Sequence, residues 1–196
     1  MTITTLVYET FIRADRETVW AAITEPEWTR QYFFGTGVTE PMHAGHAFLS
    51  ILPDGEPAVD GAVEVFDPPS RLVQTWHVRY DEAMAAEPAG RVEWTLTEAG
   101  PGLTRLRVVH GDLAASPLTW ANVRRGWYWV LDSLKSLVET GSGLPTPAPG
   151  ALDAEPTIDR ADGGSDTPMD PAKMPGEAVS PAVSGAGGGD RCRGRG

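Results

Sequence analysis

Between Ile3 and Ile12 apolar and polar residues alternate closely enough for a strand, with Leu6, Tyr8 and Thr10 on one face. Asp15 follows as a helix N-cap, because its carboxylate can accept from the free backbone N–H groups of a first turn. Val19, Trp20 and Ile23 then mark one apolar side of that helix. Pro26 suits a first helical position, so a second short helix starts there and carries Trp28, Tyr32 and Phe33. Strands are predicted over 47–52 and 58–66, joined by the turn Pro53 to Pro57, with a further turn from Asp67 to Ser70. A strand over 71–80, a polar, alanine-rich loop over 81–90 and a strand over 91–97 come next. The turn Gly100-Pro101-Gly102 leads into a last strand over 104–110. Only the connection after the first strand is long enough for a helical crossover, so the sheet is predicted to be antiparallel.

Successive strand residues point to opposite faces, so parity sorts the side chains. One face takes Leu72, Gln74, Trp76, Val78 and Tyr80, then Val92, Trp94 and Leu96, then Leu106, Val108 and His110. The other takes Thr75, His77, Arg79, Glu93, Thr95, Thr97, Arg105 and Arg107, with Glu93 and Arg107 expected to pair across strands. A sheet that is apolar on one side needs a cover on that side. The segment after Ser116 supplies it: Ser116 reads as the cap, Pro117 as the first residue and Gly141 as the end of a long helix. Its apolar stripe is Val123, Trp127, Val130, Leu131, Leu134 and Val138. Gly126 lies inside that helix, where glycine costs about 1 kcal/mol against alanine; close approach to the sheet or to a ligand would rationalise it, and so would drift.

Composition marks where this pattern stops. All seven Trp, four Tyr and five Phe precede Gly141, whereas the stretch from Ser142 to Gly196 has no aromatic residue and is rich in Pro and Gly. Such a segment buries too little to offset backbone ordering, at about 1–2 kcal/mol per residue. The expected folded unit is therefore 1–141, followed by a disordered tail over 142–196. The three arginines of the tip, Arg191, Arg193 and Arg195, read as part of a solvated tail, and Cys192 has no histidine near it to make it a nucleophile. One cysteine excludes an internal disulfide or a multi-cysteine zinc site. A formal net charge of −11 argues against nucleic acid and anionic lipid as partners. The first ten residues lack a secretory signal, and no apolar run reaches the ~18 residues of a membrane span, so a cytoplasmic protein is expected.

Candidate chemistry is sparse. The inward face holds more rings than aliphatic side chains, and Gln74, Trp76, Tyr80, Trp94, Leu96, Val108 and His110, with Trp127 from the helix, form the candidate ligand-binding set. The rings could equally fill the core. His43 and His46 are spaced His-x-x-His on a loop without the third and fourth ligands zinc requires, so no metal is expected. His110, with Asp112 two residues on to orient it, is the one candidate for acid–base work. No nucleophile elbow, phosphate loop or dinucleotide fingerprint occurs, so no cofactor is expected and a non-enzymatic protein is favoured.

The wording of the segments is more specific than their order. The runs FIRADRETVWAAITEPE (11–27), GAVEVFDPPSRLVQTW (61–76), TRLRVVH (104–110) and GWYWVLDSLKSLVE (126–139) resemble the START-like, or SRPBCC, superfamily. With TRQYFFGTG (29–37) they resemble the branch homologous to the C-terminal domain of the heat shock protein 90 ATPase activator. The resemblance implies an α+β helix-grip fold: a curved antiparallel sheet wrapped over a long C-terminal helix, with two short helices after the first strand. It implies a cavity between sheet and helix and, for a function, binding of a small apolar or amphipathic ligand, in a stress-response setting. It leaves two alternatives open. One is a chaperone or regulator partner, resting on an exposed patch at Tyr32-Phe33-Phe34 or on the tail, since nothing before Ile3 corresponds to the activator's N-terminal domain. The other is a cyclase- or hydrolase-like enzyme using His110.

Overall fold

The computed structural model describes residues 5–147 and Leu152. The expected tail from residue 148 onward, with Cys192 and the arginine tip, lies outside the described residues apart from Leu152.

The chain begins with β1 (Leu6–Ile12), then α1 (Arg16–Thr24) and α2 (Pro26–Tyr32). Asp15 caps α1 by accepting from the Thr18 N–H, and Pro26 opens α2. Next come β2 (Gly37–Val38), β3 (Ala47–Ile51), β4 (Pro57–Asp67) and β5 (Arg71–Val78). The short α3 (Glu82–Ala85), β6 (Gly90–Gly100), β7 (Leu103–Gly111) and α4 (Pro117–Thr140) complete the fold. The strands form one antiparallel seven-stranded sheet in the order β1-β7-β6-β5-β4-β3-β2. First and second strands thus lie at opposite edges, and α1 and α2 are the bridge that carries the chain from one edge to the other. Bulges between Ser50 and Ile51 and between Val63 and Val65 bend the sheet into a curled half-barrel around α4. Beside the second bulge Gly61 permits a close approach of β4 to β5: a Cβ there would come within 2.1 Å of the Thr75 carbonyl oxygen.

The expected face parity holds along β5, β6 and β7, whose inward residues from Leu72 to Val78, Val92 to Leu96 and Leu106 to His110 are buried. Tyr80 departs from it and is 44% exposed, because β5 ends at Val78 and the alternation ends with it. On the wet side Glu93 pairs with Arg71 at 2.9 Å rather than with Arg107, since the register sets Arg107 opposite Thr95. Arg91 pairs with Glu64 and Arg105 with Glu9.

Two details of the cover also differ from expectation. The Ser116 side chain does not cap α4; its hydroxyl donates to the Pro88 carbonyl at 2.8 Å. The cap comes from Glu87, whose carboxylate accepts from the Leu118 and Thr119 N–H groups at 2.9 and 2.8 Å. The segment 81–90, expected as loop, holds α3, with Asp81 accepting from the Met84 N–H. Gly141 ends α4 in the left-handed conformation, φ +82°. The chain stays on the domain past it: Ser142 accepts from the Ser136 hydroxyl, and the Leu144 N–H donates to the Ser133 hydroxyl.

Candidate functional site

Curling of the sheet does not bring every part of its inner face against α4. A cavity of about 740 Å³ remains between the N-terminal half of α4, the inner ends of β4 and β5, and the turn after α2. Val59 and Trp76 form its floor, Val123, Trp127 and Val130 its roof, and Phe33 and Phe34 one side. Its mouth lies among Tyr80, Met84 and Leu118, of which Tyr80 and Leu118 are 44% and 49% exposed. The room exists because short side chains face it: Ala58 from β4, Ala83 from α3, and Ala121 and Gly126 from α4. Leu152 also reaches its wall.

Trp127 organises the deeper end. Its Nε1–H donates to His110 Nδ1 at 3.1 Å, and its ring lies 5.2 Å from Trp94, 5.6 Å from Trp76 and 5.9 Å from Phe33, centre to centre. Trp76 in turn meets Phe33 and Phe48. Tilted and edge-on rings of this kind pack well and leave α4 fixed in rotation against the sheet. At the mouth the Tyr80 hydroxyl donates to Asn122 Oδ1 at 2.7 Å, tying the end of the β5 segment to α4. On the far side of α4 the Tyr8 hydroxyl donates to the Arg124 carbonyl at 2.8 Å.

His110 is fully buried, and burial pushes its pKa down to about 4. The ring is therefore neutral near pH 7. Because Nδ1 accepts from Trp127, the proton sits on Nε2, which has no hydrogen-bond partner. Asp112 does not orient the ring as expected, since the hydrogen bond His110 makes is to Trp127.

The eight expected ligand-binding residues separate into three groups. Trp76, Tyr80 and Trp127 line the large cavity. Gln74, Trp76 and Trp94 line a second, inner cavity of about 30 Å³. Leu96, Val108 and His110 line neither and are packed in the core. The Tyr32-Phe33-Phe34 run is not the exposed patch expected of it. Tyr32 is 2% exposed, Phe33 touches Trp76 and Trp127, and Phe34 stacks near Trp129. Phe33, Phe34, Met84 and Leu118 are lining residues that sequence reasoning missed. For Met84 a signal was present: Asp81 followed by Glu82, Ala83 and Met84 is a capped helical turn with one apolar residue. His43 and His46 are exposed, with ring centres 5.9 Å apart. Among the described residues no group of three or more His, Cys, Asp or Glu could hold a metal, and no helix is long and apolar enough to cross a membrane.

The fold recurs in solved structures. Protein MLL2253 from Mesorhizobium loti is 25% identical, with a TM-score of 0.58 over 68% of this chain and 96% of its own. DynU16, from the dynemicin biosynthetic locus, is 25% identical with a TM-score of 0.61 over 72% of this chain, which spans only 49% of DynU16. The Aha1 dimer from Colwellia psychrerythraea, 18% identical, has the same fold at a TM-score of 0.58 over 72% of this chain and 100% of its own. No curated protein matches the sequence. The model of the family described as Activator of Hsp90 ATPase homolog 1-like protein matches residues 13–139, from the end of β1 to the last turn of α4, and the chain belongs to that family.

Proposed function

We propose that the protein binds a small apolar or amphipathic molecule between its sheet and α4, as a cytoplasmic carrier or sensor and not as a catalyst. The observation that carries this reading is the cavity itself. Its volume of about 740 Å³ falls within the ~300–1,000 Å³ usual for small-molecule sites, and its walls combine rings with few polar groups. His110 does not line the cavity, which speaks against the enzymatic alternative. A chaperone-contact role has the family's description in its favour, but Phe33 and Phe34 of the aromatic run expected to serve it are taken up in the cavity wall, and most of the tail, the other expected contact, lies outside the described residues.

Native mass spectrometry of the full chain, compared with the denatured mass, tests the reading. A reproducible extra mass that is lost on denaturation is expected. Trp76→Ala removes the cavity floor and should lower the occupied fraction by about tenfold or more at matched folded fraction. Binding and stability lost in equal measure, or no extra mass together with no uptake of the apolar dye 1-anilinonaphthalene-8-sulfonate, would mean plain core packing.

A further inference from the structure

The inner cavity has a composition unlike that of the large one. It lies behind Phe33 and Trp76, which together with Thr36 and Val59 line both spaces, so a ligand in the large cavity reaches the inner one by passing these side chains. Its volume of about 30 Å³ admits one water-sized group. Three polar-tipped side chains on its wall are almost wholly buried, Gln74 at 1% and Tyr32 and Trp94 at 2% exposed, and two of them hold an unpartnered atom. Gln74 Oε1 is an acceptor without a donor, and Trp94 Nε1–H is a donor without an acceptor. The register pairs Leu72 with Trp94 and Gln74 with Val92, so the two are diagonal neighbours on one face of the sheet. Leaving two such groups unpaired in a core is costly, and the arrangement is therefore expected to have an occupant that meets both needs.

A hydroxyl group carries both functions on one oxygen: it can donate to an acceptor such as Gln74 Oε1 and accept from a donor such as Trp94 Nε1–H. A ketone or ether oxygen would satisfy Trp94 and set its lone pairs against Gln74. An ammonium or carboxylate would be buried without a counter-charge, since none of the lining residues is charged. We propose that this inner cavity is a hydroxyl-reading subsite, and that the ligand class is an apolar body bearing an alcohol or phenol that enters past Trp76. The inference rests on the binding reading above and narrows it.

Isothermal titration of the full chain with three probes on one naphthalene frame tests it: 2-naphthol, 2-naphthalenemethanol and 2-methylnaphthalene. The first two distinguish phenol from alcohol, and the methyl compound matches 2-naphthol in size without a hydrogen bond. At least one hydroxyl probe should bind about tenfold or more tightly than 2-methylnaphthalene, although the methyl compound is the more hydrophobic. Gln74→Met and Trp94→Phe should each abolish that preference, read as the ratio of hydroxyl-probe to 2-methylnaphthalene affinity within the same variant. If 2-methylnaphthalene binds as tightly as both hydroxyl probes, the subsite proposal fails and the cavity reading stands. A preference that survives both substitutions places hydroxyl recognition elsewhere and also overturns it. No binding of any of the three would overturn the binding reading itself.

Discussion

The two halves of α4 face the same sheet and do opposite things. From Leu131 onward the helix is sealed: Leu131, Leu134 and Leu137 are at most 4% exposed. Before that point Leu118, Ala121, Val123, Gly126 and Val130 line the cavity, with Leu118 49% exposed and Val130 buried at its inner end. The apolar character of the two halves is similar, so chemistry does not separate them. What separates them is a third layer. α1 touches α4, β6 and β7, and its Val19, Ala22 and Ile23 are buried in the wedge between helix and sheet. At the other end the residues that line the wedge from α3, α4 and β4 include several with short side chains. A cavity here is a place where the fold withholds a filler.

The sealed half should therefore tolerate truncation poorly. Leu134 is 0% exposed within the core cluster, and Leu134→Ala is expected to cost about 2–5 kcal/mol. Denaturant unfolding reads this loss, and affinity per folded molecule for any cavity ligand should not change. Affinity falling in step with stability would mean that the two halves are not separable.

A second difference is electrostatic. His110 lies in the sealed interior, and its folded-state pKa of about 4 is below the ordinary 6.5 because burial disfavours the charged ring. The unfolded chain thus binds more protons between these values, so stability is full above pH 6.5 and is lost as the pH falls toward 4. The loss across this window should be about 3 kcal/mol. Protonation would also replace the Nδ1 acceptor of the Trp127 bond with a donor. Glu93 and Glu139, held below the ordinary carboxylate pKa by the side chains of Arg71 and Lys135, add their own losses only below about pH 4.5. Chemical denaturation from pH 7 to 4.5 should thus show a slope that His110→Gln flattens. An unchanged slope in that variant would remove His110 as its source.

The legible and illegible parts of the molecule divide along the same line. Alternation along β5 to β7 identified the buried row because period-two burial is local, and Asp15, Pro26 and Gly141 marked helix ends through their own backbone chemistry. Tyr80 was misplaced because nothing local says that β5 stops at Val78. Ser116 looked like a cap, but the acceptors for the first N–H groups of α4 come from Glu87, about thirty positions earlier. Phe33 and Phe34 read as surface because their partners, Trp76, Trp127 and Trp129, are distant in sequence. Whether Gln74, Trp76 and Trp94 face space or one another depends on how far α4 stands from the sheet. No side-chain pattern along a single strand encodes that distance.

The Glu87 cap is a smaller effect at the open half. Glu87→Ala removes both acceptors from the first turn of α4, next to the cavity mouth. A loss of about 1 kcal/mol is expected, with faster hydrogen exchange confined to the amides of the first turn. Equal acceleration in the Leu131–Leu137 turns would mean that α4 opens as one unit and that the two halves are coupled.

Gly126 gives the smallest effect and the most direct contrast. A Cβ added there would have Phe34 Cε2 as its near neighbour, at 3.8 Å, which is ordinary contact distance. Gly126→Ala should therefore gain up to about 0.5–1 kcal/mol, the usual advantage of alanine over glycine inside a helix. The same methyl group would stand in the cavity, between the roof and Phe34, and should weaken binding of ring-shaped probes severalfold. A gain in stability with a loss of binding is the combination expected where a helix faces empty space. In a sealed wedge the methyl would meet packed atoms and cost stability instead. A thermal melt and a titration of this one variant thus read whether α4 stands off from the sheet in solution, and a loss in both would place Gly126 with the sealed half.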